Sequence, residues 1–297
     1  MRHLPVMLQE ALSSLNLKAG DVIVDATVGG GGHAAEILKA ITPGGRLIGI
    51  DADDEALKAA GESLKGFNGS FKLIRGNFRE VDAILSREGI AHVDGALFDL
   101  GVSSYQLESP TRGFSIKHDS RLDMRMNAGA ALTAYHIVNR YSEKDLSDII
   151  GKFGEDRFCR RIARAIVQAR GKKPIETTFD LVRVIHRTVG SRHGRSKIDP
   201  ATRTFQAIRI IVNDELKALE EGIRKAVGSL NAGGRIAVIS FHSLEDRIVK
   251  NIFKEYKANQ ILQILTKKPI TASEEEAAIN PRARSAKLRV AQKELTI

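Results

Sequence analysis

Four consecutive glycines, residues 29–32, follow the run Ile23-Val24-Asp25-Ala26-Thr27-Val28 and precede His33-Ala34-Ala35-Glu36-Ile37-Leu38-Lys39-Ala40. The first run reads as a buried strand, and the second as a helix with Ala34, Ile37 and Leu38 on one face. Each glycine adds backbone freedom that folding must remove, so four together make sense where the backbone passes close to another object. Unpaired N–H groups at the start of the following helix then face that object. A second strand-like run, Arg46-Leu47-Ile48-Gly49-Ile50, ends in Asp51. An acid about 20 residues past the glycines, at the tip of strand two, is placed to bind ribose hydroxyls. The pattern predicts a nucleoside-cofactor site.

The spacing Gly29-x-Gly31-x-x-Ala34 alone suits NAD, FAD or S-adenosylmethionine. Two acids favour the last. Asp25 closes strand one, where a pyrophosphate would be repelled, and Asp99 closes the run Gly95-Ala96-Leu97-Phe98. Three carboxylates at three strand tips suit a sulfonium and an ammonium better than two phosphates. Asp99 should face the crevice at the carboxyl ends of the strands. Phe78, after the third strand, could cover an adenine face or fill the core.

Strand-like runs at 22–25, 46–51, 71–75 and 93–99 alternate with helical ones near 33–40, 54–65 and 79–87. That alternation predicts right-handed βαβ units and a parallel sheet with helices on both faces. The rhythm stops after residue 103, where helices at 155–170 and 179–189 are expected. It resumes with a long helix over 204–219, striped by Phe205, Ile208, Val212, Leu216 and Leu219. A fifth strand over 235–241, a helix over 244–257 and final strands at 261–265 and 286–290 complete the expectation. The fold class is therefore α/β, a doubly wound Rossmann-like sheet. Residues 1–110 and 205–297 form the main domain, and 111–204 an inserted helical one.

The charge is segregated along these boundaries. Residues 111–204 hold 20 Lys/Arg against 10 Asp/Glu, an excess equal to the whole net charge of +10. A polyanion-binding insert on a neutral frame is the expectation. With no Trp and 5% aromatic residues, a long stacking platform for single strands is disfavoured. Cys159 is the only cysteine, which excludes an intrachain disulfide and a thiolate cluster, and no His-Glu-x-x-His occurs. No metal is expected. No run approaches the ~20 apolar residues of a membrane span, and the start, Met1-Arg2-His3-Leu4-Pro5-Val6-Met7, lacks a signal peptide's apolar core. The expected location is cytoplasmic.

Smaller features carry their own expectations. His242, Ser243 and Asp246 include the residue types of a hydrolase triad, but they adjoin in sequence and lack a G-x-S-x-G elbow. Ser243 as a helix cap is the plainer reading. The run Glu274-Glu275-Glu276 reads as a solvated loop. Arg282, Arg284, Lys287 and Arg289 alternate as on one face of a strand, which suits phosphate contact or a charged, aggregation-resistant edge.

Eight strings stand in one order along the chain: His3-x-Pro5-Val6-Met7, Asp25-Ala26-Thr27-x-Gly29-Gly30-Gly31-Gly32-His33, Phe98-Asp99-Leu100-Gly101-Val102-Ser103-Ser104 with Gln106-Leu107, Arg112-Gly113-Phe114-Ser115, Leu122-Asp123-Met124-Arg125-Met126, Pro200-Ala201-Thr202-Arg203-Thr204-Phe205-Gln206-Ala207, Ser240-Phe241-His242-Ser243-Leu244-Glu245-Asp246-Arg247 and Asn280-Pro281-Arg282-Ala283-Arg284-Ser285-Ala286. Together they closely resemble the ribosomal RNA small subunit methyltransferase H family, the 16S rRNA cytosine-N4 methyltransferases. The resemblance implies a class I S-adenosylmethionine-dependent methyltransferase fold with an inserted helical domain. It implies that S-adenosylmethionine contacts Gly31, Gly32, His33, Asp51, Phe78, Asp99 and Gln106. It implies as partner the 16S rRNA or small ribosomal subunit, with a cytidine of the decoding region methylated on its exocyclic amine; a homodimer is left open. Two departures stand out: Asp199 where the family often has His, and Ser120-Arg121 where it often has Gly-Pro.

Cytosine N4 is a weak nucleophile and a sulfonium methyl is already activated, so alignment and an acceptor for the amine are what a protein must add. Asp99 is the candidate catalytic group. The alternatives are a cofactor-binding assembly factor without catalysis, an NAD-dependent oxidoreductase, and a protein methyltransferase that the basic insert disfavours.

Overall fold

A computed structural model describes residues 5–102, 106–107, 109, 111–190 and 199–295. The chain divides into two compact units, one of Met1–Ser103 with Leu216–Ile297 and the other Ser104–Glu215. The expected insert, 111–204, lies inside the second unit, which extends further at both ends.

The first unit is built on one sheet. Its strands are β1 (Val22–Asp25), β2 (Arg46–Asp51), β3 (Phe71–Arg75), β4 (Val93–Asp99), β5 (Leu230–Ser240), β6 (Leu262–Ile264), β7 (Ile270–Thr271) and β8 (Lys287–Lys293). They lie in the order β3-β2-β1-β4-β5-β8-β6, with β7 paired to β8. Strands β1 to β5 pair in parallel, while β8 runs antiparallel to β5, β6 and β7. The order reverses between β1 and β4, and such a switch point opens a crevice beyond the carboxyl ends of the strands.

Strands β1, β2, β4 and the second half of β5 are largely apolar because both faces are covered there, and successive side chains alternate between them. Val24, Ile48, Phe98 and Val238 pack with the helices Val81–Arg87, Glu215–Gly228 and Ser243–Ala258. Ile23, Leu47, Leu97 and Ile239 pack with Leu8–Leu15, Gly32–Ile41 and Asp54–Ser63. The doubly wound α/β class read from the sequence is the one observed. The second unit is helical among its described residues, with helices Ala134–Arg140, Glu143–Gly154, Cys159–Arg170, Thr178–Val189 and Ala201–Asn213. No helix of the described residues is long and apolar enough to cross a membrane.

Four local expectations need correction. The long helix over 204–219 is two helices, broken at Asp214, whose φ is 49°. Asn213 sets the break: its side chain accepts from Met126 N (2.7 Å) and donates to Met124 O (2.8 Å), anchoring the helix end within the second unit. The acidic run at 274–276 is not a loop but the start of helix Glu274–Ile279, capped by Ser273. Three acids at a helix N-terminus complement the orphan N–H groups there. His242, not Ser243, caps helix Ser243–Ala258, in a reciprocal box with Glu245. Finally, the four basic residues at 282–289 do not form one strand face: only Lys287 and Arg289 share a face of β8, where both turn to Asp246. Pro281–Ser285 is a 3-10 turn, and Arg289 is buried on Asp246 through two bonds of 2.6 and 3.2 Å. Strand β8 is interior, so it is neither a phosphate-binding row nor an edge.

Candidate functional site

The tips of β1, β2 and β4 meet at the glycine turn. Gly31 adopts a φ of 82° immediately before helix Gly32–Ile41, a conformation that favours glycine. A Cβ there would lie 3.2 Å from the Ala60 backbone, and one at Gly32 only 2.5 Å from Pro5 Cγ. Part of the close approach that four glycines require is thus made within the chain. Gly29, also at positive φ, donates its N–H to Asp51 Oδ2 at 3.0 Å.

Each of the three acids is held differently. Asp51 Oδ1 accepts from Asp53 N at 2.9 Å, so both its oxygens serve the loop while keeping lone pairs for a ligand. Burial pushes its carboxyl up to about 6, against the pull of those N–H bonds. Asp25 is 1% exposed and accepts from Thr27 N at 3.2 Å. Burial first, then the charges of Asp99 and Asp51, push it up to about 7. It is the least exposed of the three. Asp99 receives a bond on its main chain, where its N–H donates to Thr27 Oγ1 at 2.6 Å. Its side-chain Oδ2 stands 3.7 Å from His33 Nδ1, and its Oδ1 is buried without a hydrogen-bond partner among the described residues. Burial raises the Asp99 carboxyl, His33 and Arg282 oppose the rise, and Glu245 adds to it.

His33 is 6% exposed, and its Nε2 lies 3.0 Å from Val6 O. The expected residues Gly31, Gly32, His33, Asp51 and Asp99 are therefore gathered around one turn of the first unit. Phe78 follows β3 in the same unit, but its ring is half-buried and meets Phe98 edge-on at 5.7 Å. Gly222 leaves room for it, since a Cβ there would lie 2.8 Å from that ring. Gln106 is buried and belongs to the second unit. Ser103 and Ser104 of the same motif lie outside the described residues.

Thr27, Val6 and Glu245 were not singled out from the sequence, yet they hold the site. Glu245 Oε2 accepts from Phe241 N (2.8 Å) and His242 N (3.2 Å), which fixes the turn after β5. The motifs containing them were visible; their roles needed the sheet to bring β1, β4 and β5 together. Chemically, the arrangement offers main-chain donors at a helix N-terminus, a half-buried carboxylate with lone pairs to spare, and a buried carboxylate oxygen that lacks an N–H donor among the described residues.

In the second unit, Asp199 pairs with His186 Nε2 at 2.9 Å. Arg121 forms an isolated antiparallel bridge with Thr177. Helix Cys159–Arg170 exposes Arg160, Arg161 and Arg164, and the Arg157 and Arg161 guanidinium groups lie 4.7 and 5.9 Å from the centre of the Phe158 ring.

A family model for the MraW methylase family matches residues 1–294. A protein of Persephonella marina named ribosomal RNA small subunit methyltransferase H is 52% identical over 293 residues, covering 99% of each chain. One of the same name from Brevibacillus brevis is 47% identical over 306 residues, covering 98% of each. The solved structure of an rRNA methylase from Streptococcus thermophilus aligns over 99% of both chains, at 12% identity and a TM-score of 0.46.

Proposed function

The chain belongs to the MraW methylase family, and on that premise we propose that it methylates the exocyclic N4 amine of a cytidine in the decoding region of 16S rRNA. The broader activity, S-adenosylmethionine-dependent methylation of rRNA, is that of its family. The acceptor atom, the 16S target and a cytoplasmic place of action are the proposal. The observation that carries it is Asp99 Oδ1, a buried carboxylate oxygen without a partner among the described residues, at the tip of β4 beside the glycine turn. Such an oxygen wants an N–H donor, and an exocyclic amine is one.

The residues present fit S-adenosylmethionine: a glycine turn opening a helix, and an excess of acid suited to a cationic donor. When bound, that cofactor supplies a methyl carbon activated by its sulfonium. Gly31, Gly32 and His33 bind it through the turn, Asp51 takes its ribose hydroxyls, and Phe78 flanks its base. Gln106 is assigned to it on the resemblance alone. Asp99 orients the amine and accepts its proton; alignment with reacting atoms ~3–3.5 Å apart supplies most of the acceleration. The target base must leave its stack, at a cost of a few kcal/mol. Phosphate contacts from the basic residues of 111–204 offset that cost.

The test is transfer of a labelled methyl group from the cofactor to small ribosomal subunits or to 16S rRNA, followed by mass spectrometry of the nucleosides. N4-methylcytidine is the expected product. Label recovered in another nucleoside, or in protein, overturns the acceptor assignment.

A further inference from the structure

The N-terminal segment 5–7 is pinned across the start of helix Gly32–Ile41 at three points. Pro5 fills the space a Cβ at Gly32 would need. Val6 O meets His33 Nε2 at 3.0 Å, and Met7 N donates to Glu276 Oε1 at 2.7 Å. A carbonyl can only accept, so Nε2 carries a hydrogen and Nδ1 is the nitrogen turned to Asp99. With Nδ1 and Asp99 Oδ2 3.7 Å apart and both buried, two bare lone pairs facing each other would be unfavourable. A hydrogen on Nδ1 as well, carried by the doubly protonated ring, makes the contact a charge attraction across 3.7 Å and leaves Oδ1 as the free acceptor of the pair.

We infer that His33 is a positioning residue for methyl transfer: anchored by Val6, its imidazole holds the Asp99 carboxylate charged and turned so that Oδ1 meets the acceptor amine. This rests on the methyltransferase reading above and assigns the His33 side chain a role beyond lining the cofactor site. The step balances without a further reactant. The amine lone pair forms the N–C bond while the C–S pair stays on sulfur, and the nitrogen releases one proton to Oδ1. The charged or titratable groups facing Asp99 are His33 from helix Gly32–Ile41, Asp25 from β1, Glu245 from helix Ser243–Ala258 and Arg282 from the turn Pro281–Ser285. Of these, His33 and Arg282 favour the charged carboxylate, and burial, Asp25 and Glu245 oppose it. Removing His33 therefore moves the Asp99 titration to higher pH.

The experiment compares wild type, His33→Gln, His33→Asn, Asp99→Asn and the double variant His33→Gln/Asp99→Asn. It measures cofactor affinity by calorimetry and methyl transfer to small subunits across pH. Gln can keep the Val6 bond while losing Nδ1; Asn can replace Nδ1 while losing Val6. For His33→Gln we expect cofactor affinity within about threefold of wild type. We expect kcat down roughly 10- to 100-fold, and an acid limb of kcat/KM moved to higher pH. His33→Asn should recover part of the rate. In the Asp99→Asn background, His33→Gln should cost little more, because partners in one interaction are not additive. An unshifted acid limb, or full additivity in the double variant, overturns the inference. Cofactor calorimetry identifies any variant that fails to fold, in which case His33→Asn carries the same pH test. If wild type itself transfers no methyl group to the subunit, the functional reading fails instead, and the two failures are told apart by that control.

Discussion

The glycine-turn half of the first unit and the arginine-bearing helix of the second solve opposite electrostatic problems. Around the turn, Asp25, Asp51 and Asp99 are buried or half-buried, and burial raises the titration of all three. On helix Cys159–Arg170, Arg160, Arg161 and Arg164 stand exposed, and the ordinary pairings are solvent-screened, such as Arg164 to Glu143 at 3.4 Å. Charge in the first region is scarce, desolvated and fixed to one geometry. In the second it is abundant and solvated. The contrast teaches that one set of residues offers a few desolvated acceptors in fixed geometry, the other a diffuse positive field.

The largest expected effect breaks one side of that contrast and spares the other. Asp99→Ala should lower methyl transfer by roughly 10²- to 10⁴-fold, the range for a group handling a reacting proton. RNA affinity, measured by filter binding, should stay within about twofold. A comparable loss of RNA binding would mean the two regions do not divide the work. Next in size is Arg160→Glu/Arg161→Glu/Arg164→Glu. It should weaken RNA binding by roughly 10- to 100-fold and flatten the slope of log affinity against log salt, by about 0.7–0.9 for each phosphate no longer neutralised. Calorimetry should show cofactor affinity unchanged.

The two regions were also unequally legible. Strands β1, β2 and β4 fall where apolar runs and turn residues place them, because both sheet faces are covered and the pattern is continuous; β3, an edge strand with Lys72 and Arg75 exposed, is marked by its place in the rhythm. Asp51 and Asp99 were readable for the same reason, each closing such a run. The charge excess of 111–204 was visible by counting. What escaped depends on partners far away in sequence. Asp214 breaks a helical stripe because Asn213 is tied to Met124 and Met126, 89 and 87 residues distant. Arg289 looks like a surface cation until Asp246 is seen to bury it. Val6 matters because its carbonyl lies against His33, 27 residues on, once the helix has formed.

A third, smaller effect sharpens the electrostatic side of the comparison. Carboxyls raised to about 6 at Asp51 and about 7 at Asp25 bind more protons folded than unfolded. Stability should therefore fall as pH climbs from near 4 towards 7, since the folded state has protons to lose that the unfolded state has already lost. Thermal melts from pH 5 to 8 should show this slope, and Asp25→Asn should flatten it. Cofactor affinity should run the opposite way, rising about tenfold over the same window as the acids become charged and attract a cationic donor. S-adenosylhomocysteine, which lacks the sulfonium charge, should show a weaker rise. A flat cofactor profile would remove the electrostatic reason for the acids at the strand tips.

The smallest effect tests how much of the glycine turn serves packing. Gly32 begins its helix with an ordinary φ, so an added methyl there meets no backbone penalty; its cost is the encounter with Pro5 Cγ at 2.5 Å. Overpacking of that kind costs about 1–3 kcal/mol where neighbours are fixed. Pro5 is a ring with no rotamer to swing aside, so the backbone of the pinned segment must shift. Gly32→Ala should therefore cost about 1–2 kcal/mol, a drop of a few degrees in the melting temperature. Glu276→Gln should add to it, by loosening the anchor that holds Met7. If instead Gly32→Ala abolished cofactor binding while leaving the melting temperature intact, the close approach at that glycine would be to the ligand rather than to Pro5. Gly32 would then serve the ligand, while Gly31 still answers to the Ala60 backbone.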